Sequence, residues 1–540
     1  MLRSGSAESR TRVRPSAGGP QRRPPQRRPP QRRPRGGRWR GGSALVKAGY
    51  ILATLVAVVA VVTGIGVFYV YHHLTSNITK VQVGDLSGKT VYGALNILVL
   101  GSQTRLGQRG YFGYDATPGV SNSDNLLLIH LDPTHTHAII LSIPRDTFVY
   151  QPACQERAYV GTGVWPAQQY PPGAIIDGAL NIGGPTCAVA TVEDLTGIEL
   201  DHFVEFDFNS FRTMVGQLGG VEVCVPPGPG YHDVNANLNL SPGLHWVNYG
   251  VALAYVRQRD DLGGSDPGGD LPRIQVQQAF VSSVIQQINS DGLLTDIPKL
   301  LGIANTATQA LTVDQGLASV SDEMHLAESL AHLKAKDVSL ITMPTTTDTY
   351  PGLEEHLMPV EPQDDVLFNM IRTGQPWTGA LPVEPYSSVQ VQVLNGTGQA
   401  GLAAQTKQQL QALGFDVVGI GDAPYTSTTT VSYAGLAQSD GAYTLMTALD
   451  SFPAGQNTLA EPGNQIGTPG TVTLTLGADF QGVHQPTPAP PASTAKAGKG
   501  SSKNTTTPAP GPSTGASAVE SRNAGANICS DLPPAYTLGT

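Results

Sequence analysis

The sequence predicts an α/β protein, and three observations predict it. Apolar strand-like runs alternate with helical patterns from about residue 93, a smaller alternation of the same kind begins near residue 388, and 24 uncharged residues from Ala48 to Tyr71 precede both. The 540 residues suffice for two or three domains, and a 40% hydrophobic content supports a core. With 62 Gly and 42 Pro, part of the chain is expected to stay outside that core.

In order along the chain, residues 1–43 repeat QRRPP, QRRPP and QRRPR between Gln21 and Arg35 and contain too few apolar residues to fold, so a disordered tail is expected. Residues 44–72 read as a transmembrane helix. The uncharged run alone would be about 36 Å long, enough for a bilayer core. Residues 1–47 hold thirteen Arg and Lys47 against Glu8, a surplus of about +13, which leaves about −22 on the rest of a chain whose net charge is −9. By the positive-inside rule the tail lies in the cytoplasm and the rest outside, in a single-pass topology. The flank YHHLTSNITK lacks a small-x-small cleavage site, which argues against a cleaved signal peptide. Clustered Arg could bind nucleic acid or anionic lipid, but the tail has no base-reading chemistry, so no nucleic-acid partner is expected.

After a juxtamembrane linker at 73–92, the first unit spans 93–372. NILVLGS, NLLLIHLD and AIILSIP read as strands, the last two joined by the turn PTHTH. PTCAVATVEDLTG reads as a helix, HFVEFDF as a strand, NSFRTMVGQLGG as a helix stopped by Gly219 and Gly220, and VEVCVP as a strand. GLHWVNYGVALAYVRQRD reads as one helix. LPRIQVQQAFVSSVIQQI reads as another, with Pro272 in its first turn and Ile274, Val281, Val284, Ile285 and Ile288 on one stripe. More helix, including MHLAESLAHLKAK, and the strand VSLITMP follow. A linker at 373–387 leads to a second α/β unit at 388–484, built from VQVQVLNGT, the helix GLAAQTKQQLQALGF, FDVVGIG and VTLTLGADF. Residues 485–540, rich in Pro, Thr, Ser and Ala, are expected to be disordered.

The four cysteines lack CxxC spacing, which excludes a zinc ribbon or a thioredoxin site. Cys154 and Cys187 flank one loop and are candidates for a disulfide that holds it. Cys224, in an apolar strand, reads as a buried thiol or as the partner of either, and Cys529 is an odd late thiol. His72, His73, His130, His135, His137 and His202 show no HExxH pattern and read as ordinary core or turn residues. DDLGGSDPGGD does not follow the EF-hand spacing.

The charges that stand out are those at the ends of apolar elements. Arg145 and Asp146 follow a strand directly, Arg257 and Arg259 follow ALAYV, and Arg273 and Gln277 share a helix face at spacing i, i+4. Converging guanidiniums call for an anion, and their forks match the oxygens of a diphosphate. Salt bridges to Asp260, Asp261, Asp266 and Asp270 are the alternative reading.

These segments resemble the LytR-CpsA-Psr (LCP) family, membrane-anchored phosphotransferases of Gram-positive and actinobacterial envelopes. The resemblance rests on NILVLGSQTR, SDNLLLIHLDP, IILSIPRDTFV, ALNIGGP, VEDLTGIELDHFVEFDFNSFRTMVGQLGGVEVCVP, GLHWVNYGVALAYVRQRD and GDLPRIQVQQAF in family order, and 388–484 looks like the LytR C-terminal domain. It implies a layered α-β-α domain with a central mixed sheet. The implied reaction is transfer of a glycopolymer, arabinogalactan by preference, from a polyprenyl diphosphate carrier to a peptidoglycan hydroxyl, aided by Mg²⁺ or Mn²⁺. The partners so implied are the lipid-linked glycan, peptidoglycan and membrane lipid. Arg105, Arg145, Arg257, Arg259 and Arg273 match the diphosphate-gripping and catalytic arginines, Gln277 a polar contact, Asp124 a metal ligand, and Asp146 the acid that orients Arg145. Where the family usually reads GSD, this chain has Gly101-Ser102-Gln103, so Gln103 offers a neutral oxygen in place of a metal-binding carboxylate, or Asp115 substitutes for it.

Overall fold

The structure is a computed structural model that describes residues 44–84, 93–103, 122–156, 163–168, 173–259, 271–290, 297–317, 333–347, 356–451, 454–457, 470–484 and 519–533, together with 86, 262, 325, 326 and 330. Helix α1 (Ala44–Asn77) has 34 residues, and Leu55, Val58, Val61, Val62 and Ile65 on it are exposed. Among the described residues no helix is long and apolar enough to cross a membrane, so the transmembrane helix expected over 44–72 remains an expectation from the sequence.

The first unit contains β1 (Thr79–Lys80), β2 (Leu95–Ser102), β3 (Ser123–Leu131), β4 (Ala138–Ile143), α2 (Ala179–Thr196), β5 (His202–Phe206), α3 (Phe208–Leu218), β6 (Val221–Val225), β7 (Gly243–Val247), α4 (Tyr249–Arg257), α5 (Leu271–Ser290), β8 (Leu311–Val313), β9 (Val338–Thr342) and α6 (Gln363–Arg372). The second contains β10 (Gln390–Asn395), α7 (Leu402–Leu413), β11 (Asp416–Asp422), β12 (Thr430–Tyr433), α8 (Ser439–Thr447), β13 (Ala454–Asn457) and β14 (Val472–Leu476). A last strand, β15 (Ser521–Asn523), follows.

The central sheet has eight strands in the order β1-β8-β5-β2-β3-β4-β9-β15 and is mixed. Pairs β2/β3 and β3/β4 are antiparallel, while β2/β5 and β4/β9 are parallel. Alternation along the strands sends Leu98, Leu100, Leu126, Leu128 and Leu141 to one face, against Val192 of α2 and Phe368 of α6. Ile140 and Leu340 face the other way, into a cluster with Val281 and Ile285 of α5. Helices on both faces give the expected α-β-α layers. Because β3 runs against its neighbours, its first residues lie at the same edge as the last residues of β2 and β4. The site is built there.

Local chemistry sets the helix ends. Asp207 caps α3 by accepting from the Ser210 amide at 2.8 Å, and Gly219, at φ 82°, closes it. The single helix expected over 243–260 is a strand followed by a helix. Leu244 and Trp246 alternate with the buried Val247 in β7, which pairs with β6, and the Asn248 side chain then caps α4 by accepting from Gly250 and Val251. Of MHLAESLAHLKAK, only His325, Leu326, Leu330 and 333–336 are described.

The Cys154–Cys187 disulfide is present. Gly183 makes room for it, since a Cβ there would sit 2.6 Å from Cys187 Cβ and 3.0 Å from Cys154 Cβ. Two other expectations need correction. Cys224 is no free thiol, for it bonds to Cys529 across 305 residues. Nor is all of 485–540 outside the fold. Residues 519–533 return to the first unit, where β15 pairs with β9, Ala524 is fully buried, Arg522 donates to the carbonyls of Asn527 and Ser530, and Tyr231 Oη donates to the Pro533 carbonyl. Within the linker at 373–387, Leu381 is buried in the first unit's core.

The second unit is a five-stranded sheet in the order β11-β10-β14-β12-β13, with Val391, Val393, Leu410, Leu445 and Leu474 in its core. It meets α6 through Tyr433 Oη, which donates to Asp365 Oδ2 at 2.7 Å, and through Asn369 Nδ2, which donates to Asp440 Oδ2 at 3.0 Å. Burial, with Asp365 and Glu361 nearby, pushes the Asp364 carboxyl well above the usual carboxylate range.

Two stability predictions follow from these contacts. Replacing Cys529 by Ser is expected to cost about 2–4 kcal/mol, since a crosslink that closes so long a loop restrains the unfolded chain strongly. Thermal unfolding without reductant checks this, and an unchanged midpoint refutes it. A carboxyl whose pKa is raised on folding has no effect below its unfolded value, destabilises the fold increasingly as pH rises above that value, and does so in full once pH passes the raised value. Asp364→Asn is therefore expected to raise the midpoint at pH 7–8, by roughly 2–4 °C per kcal/mol. That gain should shrink as pH is lowered and vanish well below about 4, where the unfolded carboxyl is protonated as well.

Candidate functional site

Three strand ends and two helices supply the polar side chains. Gln103 follows β2, Asp124 is the second residue of β3, and Arg145 lies two residues beyond β4. The antiparallel register that pairs Gly101 with Asn125 and Leu126 with Ile143 brings these three together. Asp124 Oδ1 accepts from Gln103 Nε2 at 2.6 Å and from Arg145 Nη1 at 2.6 Å. Arg145 Nε lies 3.4 Å from Asp146 Oδ1, so Asp146 is placed to orient its neighbour.

The two helices bring the remaining guanidiniums. Arg257 closes α4 and lies over the Phe208 ring, 4.6 Å from its centroid. Arg259 is fixed through its backbone, whose amide donates to Asp233 Oδ2 at 2.6 Å, while Asp233 Oδ1 accepts from Ala236. On α5, the buried Arg273 reaches the Asp124 carbonyl at 3.4 Å. One turn on, Gln277 accepts from Asn125 Nδ2 and donates to the Val256 carbonyl. Gln278, buried beneath, donates to Ser142 Oγ and Thr342 Oγ1 and so pins α5 to β4 and β9.

Gln103, Asp124, Arg145, Arg257, Arg259, Arg273 and Gln277 all line one cavity of about 650 Å³. Along α5 its lining passes from Arg273 and Gln277 to Phe280, Val281, Val284 and Ile285, about 18 Å of helix. Phe211, Met214, Val215 and Leu218 of α3 complete the apolar part. Arg273 and Gln277 thus sit on the rim of the apolar stripe. Arg105 and Asp115 lie outside the described residues, as do Asp260, Asp261, Asp266 and Asp270.

The described residues do not by themselves fit a divalent ion. Asp124 Oδ1 already receives two donors, one of them a guanidinium, and Gln103 presents its nitrogen rather than its oxygen to that carboxylate. Among the described residues no group of three or more His, Cys, Asp or Glu side chains is arranged to hold a metal.

Two acids near the site were not singled out in the sequence. Asp233 carries no local signal, being one acid in the loop GYHDVNAN. Asp177 is half-buried in the turn Ile176–Gly178 and accepts from Asn122 Nδ2 at 3.1 Å. Burial pushes its pKa up to about 6, against the pull of Arg145 and with Asp146 and Asp124 adding to the rise. Elsewhere, His130 meets Asn96 Oδ1 at 2.8 Å and His202 meets Asp314, so both are core histidines in hydrogen-bonded pairs.

Residues 67–367 match the LytR_cpsA_psr family, and residues 388–480 match the family described as LytR cell envelope-related transcriptional attenuator. The chain is 28% identical over 369 residues to the cell wall biosynthesis protein LcpA of Corynebacterium glutamicum, covering 63% of this chain and 69% of that one. It is 29% identical over 234 residues to the polyisoprenyl-teichoic acid–peptidoglycan teichoic acid transferase TagV of Bacillus subtilis, covering 43% of this chain and 53% of that one. The solved LytR-Csp2A-Psr enzyme from Actinomyces oris aligns at a TM-score of 0.40 with 21% identity over 56% of this chain and 97% of that one. Since the first family match takes in more than half of its residues, the chain belongs to the LytR_cpsA_psr family.

Proposed function

We propose that this chain is a membrane-anchored phosphotransferase that moves a glycopolymer from a polyprenyl diphosphate carrier to a peptidoglycan hydroxyl and releases polyprenyl phosphate. The observation that carries the reading is the composition of one cavity, where Arg145, Arg257, Arg259 and Arg273 share a lining with the apolar side chains of α3 and α5. Guanidiniums neutralise a diphosphate, and the apolar lining suits a prenyl chain. Phosphoryl transfer needs placement and charge neutralisation above all, and the polar lining supplies both. The names of the relatives, a cell wall biosynthesis protein and a teichoic acid transferase, support the same class.

Arabinogalactan is the preferred polymer, on the Gly- and Ala-rich composition, the Arg-rich tail and the likeness to a corynebacterial protein. The anchor is the run Ala48 to Tyr71, with residues 1–43 cytoplasmic and the site outside. Two disulfides support an oxidising compartment for the site. The C-terminal unit is read as an envelope-facing accessory domain.

Within the site, Arg145 and Arg273 hold the diphosphate, Asp124 keeps both at their stations, and Arg257 and Arg259 face the charge that grows on the leaving polyprenyl phosphate. Mg²⁺ or Mn²⁺, if bound, would supply further neutralisation of the diphosphate oxygens. Gln103 favours a second reading, a noncatalytic protein that binds lipid diphosphate. The full chain in lipid nanodiscs, given a polyprenyl diphosphate-linked glycan and peptidoglycan, separates the two: release of polyprenyl phosphate with glycan joined to peptidoglycan supports the transferase, and binding without release supports the other.

In that assay Arg145→Ala and Arg273→Ala are each expected to lower kcat/KM by about 10²- to 10³-fold, the usual effect of removing one oriented donor from developing charge. Activity within threefold of wild type in both, with folding intact by circular dichroism, refutes the assignment. Gln103→Asp sets a second carboxylate beside Asp124 and is expected to raise Mg²⁺ affinity at least tenfold by calorimetry. Equal affinity would show that position 103 does not govern metal binding.

A further inference from the structure

The apolar part of the cavity has a definite far end. The two helices that line it run the same way from the arginines. Arg257 lies over the ring of Phe208 at the start of α3, the rings of Phe211 and Phe280 meet at 5.4 Å, and Gln287 Nε2 donates to the carbonyls of Leu218 at 3.3 Å and Gly220 at 3.1 Å. The lining therefore closes on Leu218 of α3 and Ile285 of α5. A polyprenyl tail that starts beside the arginines and outruns about 18 Å of lining has to leave the cavity at that end.

Large apolar side chains reach the surface there. Trp246 Nε1 donates to the carbonyl of Gly219, the residue after Leu218, at 3.1 Å, and Trp246 is still 60% exposed. Strand alternation puts Leu244, 58% exposed, on the same face of β7. Tyr249, 46% exposed, opens α4 with the Arg212 guanidinium 4.8 Å from its ring centroid. Met214 belongs to both surfaces, since it lines the cavity and is 38% exposed. Glu222, exposed and opposite Trp246 in the β6/β7 ladder, and Arg212 give this patch a rim of both charges. Single exposed apolar residues are ordinary, whereas an apolar patch with a polar rim marks a contact surface. Trp and Tyr, with apolar bodies and polar tips, suit the boundary between hydrocarbon and headgroups, and a rim of both signs suits a zwitterionic headgroup. Continuity with the apolar end of the cavity selects a lipid surface over a protein one.

We propose that Leu244, Trp246 and Tyr249 seat the first unit on the lipid leaflet, with the Leu218 end of the cavity opening onto hydrocarbon. The proposal rests on the transferase reading above, which puts a prenyl tail in the cavity. With the patch seated, the tail passes from the leaflet into the lining without exposing its length to water, a transfer that would otherwise oppose loading of the carrier. None of the three residues lines the cavity, so their part is to place its mouth and not to hold the diphosphate.

The test uses the full chain in nanodiscs of phosphatidylcholine and phosphatidylglycerol. Bromine on the acyl chains quenches a tryptophan that lies among them, and Trp246 is one of four tryptophans. If Trp246 meets the leaflet, Trp246→Gln lowers the fraction of emission that brominated lipid removes; if Trp246 stands in water, the same change raises that fraction and the proposal fails. In the transfer assay the double variant Leu244→Gln with Trp246→Gln is expected to lower kcat/KM about tenfold for a long polyprenyl carrier embedded in the nanodisc, and to stay within about twofold of wild type for a short, water-soluble carrier that needs no leaflet. Equal losses with both carriers, or none with either, refute the assignment. Crosslinked pairs of chains that the double variant abolishes, without quenching by lipid, give the patch to a second copy and refute it as well. A wild-type chain that transfers from neither carrier overturns the transferase reading, while the quenching still decides whether the patch meets lipid.

Discussion

The ion pair between Arg145 and Asp124 holds the site together, because it answers the difficulty of gathering guanidiniums at one sheet edge. Four like charges around a cavity repel one another, and a partly buried arginine is costly without a counter-ion. Asp124 meets both demands from one position. Its carboxylate takes Arg145 and Gln103, and its carbonyl takes Arg273. Through that residue β2, β3, β4 and α5 are tied at a single point. Removing the carboxylate would take from Arg145 its partner at 2.6 Å and leave Arg273 its bond to the main-chain carbonyl, so the side chain of Asp124 serves to place Arg145 and balance its charge.

The same point explains how the sequence can be read. Strands β2, β3 and β4 were legible because buried strands of one sheet must be apolar on both faces, and Leu-, Ile- and Val-rich runs ended by polar turns follow from that. Arg145, Arg257, Arg259 and Arg273 were legible because a charge directly after an apolar run has few places to go except a sheet or helix end. β7 was misread because GLHWV carries a strand alternation too short to stand out from the helix it precedes, and Asn248 announces the helix start only once that strand is recognised. Asp177 and Asp233 gave no signal at all. Asp177 lies in a 3-10 turn and Asp233 ends a three-residue strand, and each is placed near the site by a bond to a residue distant in sequence, Asn122 and Arg259.

The C-terminal segment shows the same limit from the side of topology. A three-residue polar strand after a Pro- and Thr-rich stretch has no local reason to fold, and only pairing with β9 and the Cys224–Cys529 bond give it one. Loop-closure entropy grows only with the logarithm of loop length, so recruiting a strand from residue 521 costs little more than recruiting one much nearer. What offsets that cost is specific. Arg522 fills its hydrogen bonds with backbone carbonyls, Ala524 is wholly buried, and Gln286 of α5 donates to the carbonyls of Ala524 and Ala526.

Those last bonds connect the end of the chain to its chemistry. Gln275 of α5 donates to Glu520, Gln278 pins the same helix to β4 and β9, and Gln286 grips the returning segment two turns further on. Arg273 and Gln277 project from that helix into the cavity. A guanidinium acts on a diphosphate only if its carrier helix does not shift when the charge arrives, since each misdirected hydrogen bond forfeits the gain from preorganisation. The helix is therefore held along its length by side-chain amides, with the site's donors on one side and the sheet and the returning strand on the others. Gln at 275, 277, 278, 286 and 287 around the apolar residues between them is what such a helix requires: each side-chain amide donates to a carbonyl, carboxylate or hydroxyl, and the apolar positions face the cavity and the core.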